Sequence, residues 1–292
     1  MTRELATDLF RFLKRNGCTS VHIGGGEPLL RPDKLFPVLE AAVETGIGID
    51  YVETNAAWHK TPERTATVLR SLRERSVDTL LISMDPFHNA FIPFRQVKDL
   101  MRSCHENGMQ VFAWKEAFFD EMEAMGDEVP HDLTEWASLF GGGSISGLIR
   151  RYGLGLKGRA LETFRPYLVQ VPLEDILRDA GPCTELAGAY HFHLDLHGQF
   201  IPQSCQGLSV HYQDAVRGAL VSEYPVFARL HEGGIGLLLD HARETYGFVP
   251  DAKYAGKCDL CWAIRRYLAL DRGLDLPDLQ PHGHYLHVDS KS

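Results

Sequence analysis

The sequence predicts an α/β fold with a parallel β-sheet, followed by a cysteine-bearing region with a different pattern. Three observations support this prediction. Strand-like and helix-like segments alternate over the first part of the chain, which is typical of βαβ units with right-handed crossovers. Most of the predicted strands run into a glycine-rich or polar loop. From Gly158 onwards, Pro166, Pro172 and Pro182 interrupt the alternation, so we expect a domain boundary near there.

The alternating segments can be assigned in order. Leu5, Leu9 and Phe12 have helical spacing, and Asn16-Gly17 ends this first helix over residues 3–15. Strands are predicted over residues 20–23, 49–53, 79–84 and 109–114, with 146–152 as a fifth candidate. Helices are predicted around residues 35–43, from Thr61 to Arg75, and over 95–107. Five strands are too few for a complete eight-stranded barrel.

The second region has a different organisation. Residues 190–196 alternate apolar and polar side chains, which predicts a half-buried strand, and Gly198 turns it into a second strand at Phe200-Ile201. Helices follow over about 212–231, 234–246 and 258–270, and a polar tail with prolines begins at Leu274. We therefore expect three parts: a core over residues 1–165, a cysteine-bearing domain over 166–273 and a tail over 274–292.

The composition is that of an ordinary globular protein. Apolar residues make up 44% and charged residues 24% of the 292 residues, which excludes collagen-like, mucin-like and broadly disordered classes. The formal net charge of −9 disfavours binding to phosphate backbones. No apolar run approaches the roughly 18–20 residues that span a bilayer, and the first residues contain no export signal. We expect a cytoplasmic protein with no nucleic-acid or membrane partner.

A glycine-rich loop, residues 24–28, ends the first predicted strand. In parallel sheets, ligands bind where strands end. Four residues should therefore meet in one crevice: Gly26, Asn55, Asp85 and Lys115. Three glycines let the backbone approach a ligand, Glu27 adds a carboxylate and Pro28 fixes the turn, a combination that suits a cation such as an ammonium group. The spacing matches neither a dinucleotide fingerprint nor a P-loop.

The segment Val21-His22-Ile23-Gly24-Gly25-Gly26-Glu27-Pro28-Leu29-Leu30 resembles the GGEP segment of radical S-adenosylmethionine enzymes. In that family this loop contacts the methionine amino group of the cofactor. Thr54-Asn55 and Ile82-Ser83-Met84-Asp85 are similar to the family's segments at the next two strand ends. Gly158-Arg159-Ala160 is similar to the segment after the last barrel strand in members with a C-terminal cluster domain. Together the matches extend over roughly residues 20–270.

The resemblance implies a partial (β/α)6-type TIM-like barrel that lacks its first strand, with a small cysteine-bearing α+β extension. It implies a cofactor site for S-adenosylmethionine made of Gly24, Gly25, Gly26, Glu27, Pro28, Asn55, Ser83, Asp85 and Lys115, with Lys115 on the methionine carboxylate. The implied activity is reductive cleavage of this cofactor to a 5′-deoxyadenosyl radical, with one electron from a donor such as flavodoxin or ferredoxin. The radical then abstracts hydrogen from a substrate, and the family's substrates include peptides and proteins.

Two residues beside the expected crevice are candidate substrate-side groups. His88 follows the strand over 79–84, and Glu116 follows the strand over 109–114. Packing of their loops is the alternative for both.

The family's defining C-x3-C-x2-C motif is absent from the sequence. Cys18 stands alone before the glycine-loop strand, and Cys104 shares an apolar helix face, so both are expected to pack in the core. The simplest interpretation is that the first strand and its cluster loop are missing, through truncation, a late start codon or true loss. A catalytic [4Fe–4S] cluster is therefore expected only if an N-terminal segment supplies the motif, and the chain as written is not expected to cleave the cofactor.

The other four cysteines are spaced C-x21-C-x52-C-x2-C: Cys183, Cys205, Cys258 and Cys261. Four thiolates can close a site for a [4Fe–4S] cluster or for zinc. With Asp195-x2-Gly198, Ile201-Pro202 and Arg265, the pattern resembles the shorter, single-cluster form of the SPASM/twitch extension. The resemblance implies an auxiliary [4Fe–4S] cluster, and structural zinc and unligated or disulfide-bonded cysteines are the alternatives.

Histidines supply the remaining candidates for chemistry. His191, His193 and His197 share a strand face with Asp195, which is expected to be solvated, and three tail histidines are expected to be exposed: His282, His284 and His287. Two functions compete with the radical enzyme. One is a non-catalytic iron–sulfur or zinc protein on a degenerate barrel. The other is a barrel hydrolase with a metal bound by His191 and His193.

Overall fold

The computed structural model describes residues 1–113, 115–116, 118–186, 191–203, 205–215 and 223–286. Three residues named in the sequence predictions lie outside this part of the chain: Trp114, Tyr190 and His287. Residues 216–222 of the stretch predicted as helix over 212–231 also lie outside it. The chain divides into two compact units, Met1–Gly153 and Leu154–Ser292. The boundary therefore precedes the expected one between residues 165 and 166.

A parallel sheet forms the centre of the first unit. Its strands are β1 (Ser20–Ile23), β2 (Gly48–Thr54), β3 (Thr79–Ile82) and β4 (Gln110–Ala113). They lie in the order β1-β2-β3-β4, and every neighbouring pair is parallel. The α/β class and the first four predicted strands are confirmed. No closed barrel is found among the described residues, which form an open four-stranded sheet in this unit.

The first unit contains eight α-helices among the described residues: α1 (Arg3–Arg15), α2 (Pro32–Thr45), α3 (Pro62–Arg73), α4 (Pro86–Asn89), α5 (Phe94–Glu106), α6 (Phe118–Met125), α7 (Leu133–Phe140) and α8 (Ile145–Tyr152). Of these, α2 to α5 connect the strands, as the sequence pattern predicts. Polar caps fix several of their starts: the Thr2 hydroxyl accepts from Leu5 N, and the Thr61 hydroxyl accepts from Arg64 N. Gly46 ends α2 in the left-handed region at φ 67°.

The strand order never reverses along the sheet. Right-handed crossovers therefore carry α2, α3 and α5 to the same face. On the strands, His22 stacks on Tyr51 with ring centroids 4.9 Å apart, and Phe112 packs edge-on against Tyr51 at 5.3 Å. All three rings are partly exposed. The first unit is thus a singly wound sheet.

The fifth predicted strand, over residues 146–152, is wrong: these residues belong to α8. The Ser144 hydroxyl caps the helix by accepting from Gly147 N at 3.1 Å, and Gly153 ends it with φ 60°. Leu148, Ile149 and Tyr152 are buried on one helical face. Their spacing fits a helical period as well as a short apolar strand, and the two caps decide between them.

The second unit mixes short strands with helices. Its strands are β5 (Val171–Pro172), β6 (Phe192–Leu194), β7 (Gln199–Pro202), β8 (Val210–His211) and β9 (Lys253–Tyr254). Its helices are α9 (Gly158–Phe164), α10 (Leu173–Arg178), α11 (Pro225–Glu232), α12 (Gly234–Tyr246), α13 (Lys257–Arg266), a π-helical turn Tyr267–Asp271, and α14 (Gly283–Leu286). β6 and β7 pair antiparallel, which confirms the hairpin. None of the described helices has both the length and the apolar character to cross a bilayer.

The described part of the predicted tail, residues 274–286, packs into the second unit instead of forming an exposed polar segment. Leu279 and Tyr285 have no exposed surface. The buried Asp278 carboxylate accepts from Val226 N at 2.6 Å and Phe227 N at 2.8 Å, so it caps α11. His282 and His284 are likewise partly buried, and burial, together with nearby arginines, lowers the pKa of His284 to about 4.

Candidate functional site

The glycine loop at the end of β1 exposes its backbone. Gly25 and Gly26 have φ values of 85° and 56°, and no atom lies within 4 Å of where their Cβ atoms would stand. At Gly24 an added Cβ would lie 2.6 Å from Oε2 of Glu53, so the Glu53 carboxylate rests directly against this backbone. The loop thus offers bare backbone to a ligand, with a carboxylate beside it.

Glu27 ties the glycine loop to the end of β2. Its Oε2 accepts from Asn55 N at 2.6 Å and from the Thr54 hydroxyl at 2.9 Å, and its Oε1 accepts from Leu29 N at 3.1 Å. Burial raises the pKa of Glu27, and these hydrogen bonds act against that rise. Because both oxygens already accept from the protein, Glu27 positions the loop. The sequence predicts that Glu27 offers its carboxylate to a bound cation. The Glu53 carboxylate, which rests against Gly24, is better placed to do so.

Asp85 and His88 form a hydrogen-bonded pair at the end of β3. Asp85 Oδ1 accepts from Phe87 N and His88 N, and its Oδ2 lies 2.6 Å from His88 Nδ1. Burial opposes the charge on His88, but Asp85, Glu27 and Glu53 outweigh it and raise the pKa of His88. Burial likewise opposes the charge on Asp85, and the bond and charge of His88 outweigh it, so the pKa of Asp85 is lowered. The imidazole is therefore held by Nδ1, and Nε2 can meet a ligand.

The structure brings most of the predicted cofactor residues to one edge of the sheet. Ser83 N donates to Thr54 O at 2.8 Å, and the Asn55 side chain accepts from Ala57 N at 2.9 Å. Lys115 differs: its Nζ donates to Tyr152 O at the end of α8, 2.5 Å away. Glu116 is exposed and makes no recorded contact with this edge. Of the four strand ends that were expected to meet in one crevice, the structure brings together three: the loop after β1 and the ends of β2 and β3.

Sequence reasoning missed two residues of this edge. Glu53 lies 3.6 Å from His22 Nε2 and rests against Gly24. The signal was a carboxylate near the end of the strand, two positions after Tyr51 and hence on the same face. Thr54 was noted only for its resemblance, yet its hydroxyl also accepts from Trp58 Nε1 at 2.9 Å.

All four cysteines of the second set line one cavity of about 320 Å³ in the second unit: Cys183, Cys205, Cys258 and Cys261. They come from a loop after α10, from the segment after β7, and from the first turns of α13. All of them are free thiols. The structure thus brings these four cysteines together, as their spacing predicts.

Backbone hydrogen bonds fix the two loop cysteines. Cys183 N donates to Leu230 O at 2.8 Å, and Cys205 N donates to Pro202 O at 3.0 Å. The start of α13 is fixed by a buried ion pair: Asp259, whose side chain has no exposed surface, accepts from Arg165 Nε at 2.9 Å. The other carboxylate oxygen of Asp259 accepts from the backbone N just before the helix. The C-x2-C helix start is therefore anchored independently of any ligand.

Two cations adjoin the thiols. Lys157 Nζ lies 3.0 Å from Cys258 Sγ, and the buried Arg265 guanidinium lines the same cavity as Cys261, where its charge opposes the rise in the pKa of that thiol. Burial raises the pKa of Cys205 to about 12 and also raises the pKa of Cys261, with Arg265 opposing both shifts. Metal ligation needs the thiolate form, and these cations favour it.

The size of the cavity bears on what it can hold. Zinc–thiolate bonds of about 2.3 Å bring tetrahedral sulfurs to within about 3.8 Å of one another. In the described part of the chain, no three His, Cys, Asp or Glu side chains are placed as ligands of one ion. A volume of about 320 Å³ is on the order of ten times that of a liquid water molecule. The cavity that the cysteines help to line thus has room for a group larger than one ion.

The remaining candidates have structural roles. Asp195 Oδ1 accepts from His197 N at 2.8 Å and Gln199 N at 2.9 Å, so it forms the turn between β6 and β7. His193 Nδ1 lies 2.7 Å from Gln203 O, within the same hairpin. Cys104 is fully buried, as expected, and burial raises its pKa to about 12. Cys18 is half-buried.

No protein-family model and no curated protein matches this sequence.

Proposed function

We propose that this protein is an iron–sulfur protein of the radical S-adenosylmethionine type. In this proposal the second unit holds an auxiliary [4Fe–4S] cluster on Cys183, Cys205, Cys258 and Cys261, and the strand-end edge of the first unit binds S-adenosylmethionine. The observation that carries the proposal is the cavity in which four cysteines from three separate segments meet two buried or half-buried cations.

The charges around the cavity support a cluster. Four thiolates with a [4Fe–4S] core of charge about +2 leave a net charge of about −2. Lys157 and Arg265 together supply two positive charges beside the thiols. The volume of the cavity favours a cluster over zinc, because a single tetrahedral ion would draw the sulfurs together and leave no such space. When bound, the cluster supplies one-electron transfer.

The first unit supports a site for a sulfonium nucleotide. The bend at Gly25-Gly26 leaves its backbone open to a ligand, and the Glu53 carboxylate rests against the adjoining Gly24. Carboxylates near this edge favour ammonium and sulfonium groups, which are both cations. Asn55 and Ser83 stand at the neighbouring strand ends and can bind the polar groups of the nucleotide. In this site Asp85 holds His88 through Nδ1, which leaves Nε2 to contact a ligand.

The singly wound strand order supports a partial barrel of the (β/α)6 type. A doubly wound sheet reverses its strand order and carries helices on both faces, whereas this sheet keeps the order β1-β2-β3-β4. The half-exposed rings of His22, Tyr51 and Phe112 then line the interior of the barrel.

The residues present do not fit the catalytic cluster of the family. The sequence contains no C-x3-C-x2-C motif, and Cys104 is buried in the core. We therefore derive no cleavage step for this chain. Radical formation and hydrogen abstraction from a peptide or protein, with an electron donor such as ferredoxin or flavodoxin, would require a segment that supplies the three thiolates. The absent motif favours a second candidate: a non-catalytic iron–sulfur protein on the same fold.

Anaerobic reconstitution with iron and sulfide tests the cluster. We expect about four irons and four sulfides per chain, and a strong loss of both in the Cys258→Ala/Cys261→Ala variant. The matched control is Cys104→Ala, which removes a cysteine outside the cavity and should retain the iron. Equal iron content in all three proteins would refute the proposed ligands.

Calorimetry with S-adenosylmethionine tests the nucleotide site. We expect binding by the reconstituted chain and a loss of at least tenfold in affinity in the Gly25→Ala/Gly26→Ala variant, because both positions have positive φ and their added methyl groups fill the open bend. Gly153→Ala is the control, since it has the same kind of backbone at φ 60° with nothing within 4 Å. Failure of the parent protein to bind the nucleotide would sink the assignment of this edge.

A further inference from the structure

Arg265 is a buried cation that lacks a carboxylate partner. Its residue surface is 4% exposed. Its Nη1 donates to Gln206 O at 3.0 Å and to the Tyr285 hydroxyl at 3.2 Å, while its buried Nε has no hydrogen-bond partner. In the described residues Arg265 makes no ion pair with Asp or Glu. Among the described residues, no carboxylate therefore balances the charge of this guanidinium, which lines the cysteine cavity.

Burying an unpaired charge costs several kcal/mol. Cys205 and Cys261 line the same cavity as Arg265, and the Tyr285 hydroxyl accepts a hydrogen bond from its Nη1. The charge of Arg265 also opposes the rise that burial causes in the pKa of Asp278. The Asp278 carboxylate, however, accepts from the two backbone N–H groups at the start of α11. Thiolates in the cavity are thus the charges that best balance the guanidinium.

The position of Arg265 is rigid. It follows Cys261 by four residues on α13, so both side chains lie on the same helix face. The guanidinium carbon lies 5.5 Å from the Trp262 ring centroid, and Trp262 is itself fixed by donating to Glu162 Oε2 at 2.8 Å. Because packing holds the cation, it cannot move away when the charge in the cavity changes.

We propose that Arg265 sets the reduction potential of the auxiliary cluster. This inference rests on the proposed cluster. Reduction adds one negative charge to the group in the cavity, and a fixed cation that lines the same cavity as the ligand sulfurs stabilises the reduced state more than the oxidised state. Net charge and hydrogen bonds to sulfur are general determinants of such potentials. Arg265 therefore raises the midpoint potential and makes the cluster an easier electron acceptor.

Redox titration of the reconstituted full-length chain, followed by electron paramagnetic resonance, tests this role. In Arg265→Gln we expect the ratio of reduced to oxidised cluster at a fixed potential to fall by about tenfold, a shift of about 59 mV for one electron. Arg265→Lys keeps the charge and should lower the ratio in the same direction by less. The matched control is Arg266→Gln, which removes an adjacent guanidinium that faces Glu162 at 3.7 Å and should leave the ratio unchanged.

The outcomes separate this inference from the proposed function. A parent chain that takes up no iron refutes the cluster itself. A cluster in Arg265→Gln that titrates like the parent overturns the role of Arg265 and leaves the cluster standing. If Arg265→Gln loses its iron, the Arg265→Lys titration decides, because an unchanged ratio there would also overturn the inference.

Discussion

The ion pair at the start of α13 allows a quantitative prediction about the helix that carries Cys258. The Asp259 side chain is fully buried, whereas its partner Arg165 is 32% exposed. Arg165→Met therefore leaves a carboxylate in the interior with only one backbone N–H to neutralise it. Asp259→Asn has the smaller effect, because the partly exposed guanidinium can be hydrated and the new side chain can still accept from the backbone.

The magnitudes follow from this asymmetry. Removing one partner of a buried pair costs about 3–5 kcal/mol, and we expect the free energy of unfolding of Arg165→Met to fall within that range. Asp259→Asn should cost about 1–2 kcal/mol, the net value of a charge-assisted hydrogen bond. With a urea dependence of about 2 kcal/mol per molar, the Arg165→Met midpoint shifts by about 1.5–2.5 M.

Urea unfolding of the cluster-free chain at neutral pH, monitored by far-UV circular dichroism, measures both changes. Arg178→Met is the control, since its side chain is 69% exposed and pairs with Asp175 on the surface, so the expected change is below about 1 kcal/mol. A loss in Arg165→Met no larger than in Arg178→Met, or smaller than in Asp259→Asn, would refute the assignment of this pair as the anchor of the helix.

Three further predictions follow from single contacts. The pKa of His88 is raised and that of Asp85 is lowered. Their pairing therefore stabilises the fold from about pH 4 to the ordinary histidine pKa near 6.5. In urea titrations, the stability difference between the parent and His88→Gln should be largest near pH 6 and should shrink towards pH 9. Gly234→Ala places a methyl 1.8 Å from a carbonyl oxygen of the loop that carries Cys183, at φ 68°, so we expect a loss of about 2–4 kcal/mol and of reconstituted iron; retention of both would contradict the packing. Gly147→Ala brings a methyl to 1.8 Å from a backbone oxygen inside α7–α8 and should lower the thermal midpoint of the first unit, whereas an unchanged midpoint would argue against the helix over residues 145–152.

The sheet could be predicted because its signals are local. The strands predicted over residues 20–23, 49–53 and 79–84 are short segments between turn residues, and βαβ alternation indicates their parallel order. Residues 146–152 were assigned wrongly because their apolar spacing fits both periods, and the capping hydroxyl of Ser144 lies outside the run. For these residues, the capping groups at the ends of the segment decide between helix and strand, and the apolar pattern inside the segment does not.

The candidate sites were predictable to the extent that topology or spacing determines them. Parallel strands place Asn55 and Asp85 at one edge whatever their side chains do. Glu27 holds the glycine loop to the end of β2 because its carboxylate accepts from the Thr54 hydroxyl, and Lys115 points towards the end of α8 because its Nζ donates to the Tyr152 carbonyl there. These contacts join residues 27 and 37 positions apart, so no local pattern reports them.

The burial of polar side chains was the property that the sequence predicted least well. The polar surroundings of Tyr285 and Asp278 indicated an exposed tail, but both are buried through contacts with α11 and α13. Arg265 was recognised only as part of a cysteine pattern, and its isolation from carboxylates emerged from the packed structure. Such residues are identified by their tertiary partners, which a single sequence does not specify.

The central claim is that the cysteine cavity of the second unit holds a [4Fe–4S] cluster. Mössbauer spectroscopy of the chain reconstituted anaerobically with ⁵⁷Fe, combined with metal analysis, tests it most directly. We predict a spectrum in which one cubane cluster accounts for about four irons per chain. One zinc per chain in place of iron, or iron in a form other than a cubane cluster, would contradict the claim.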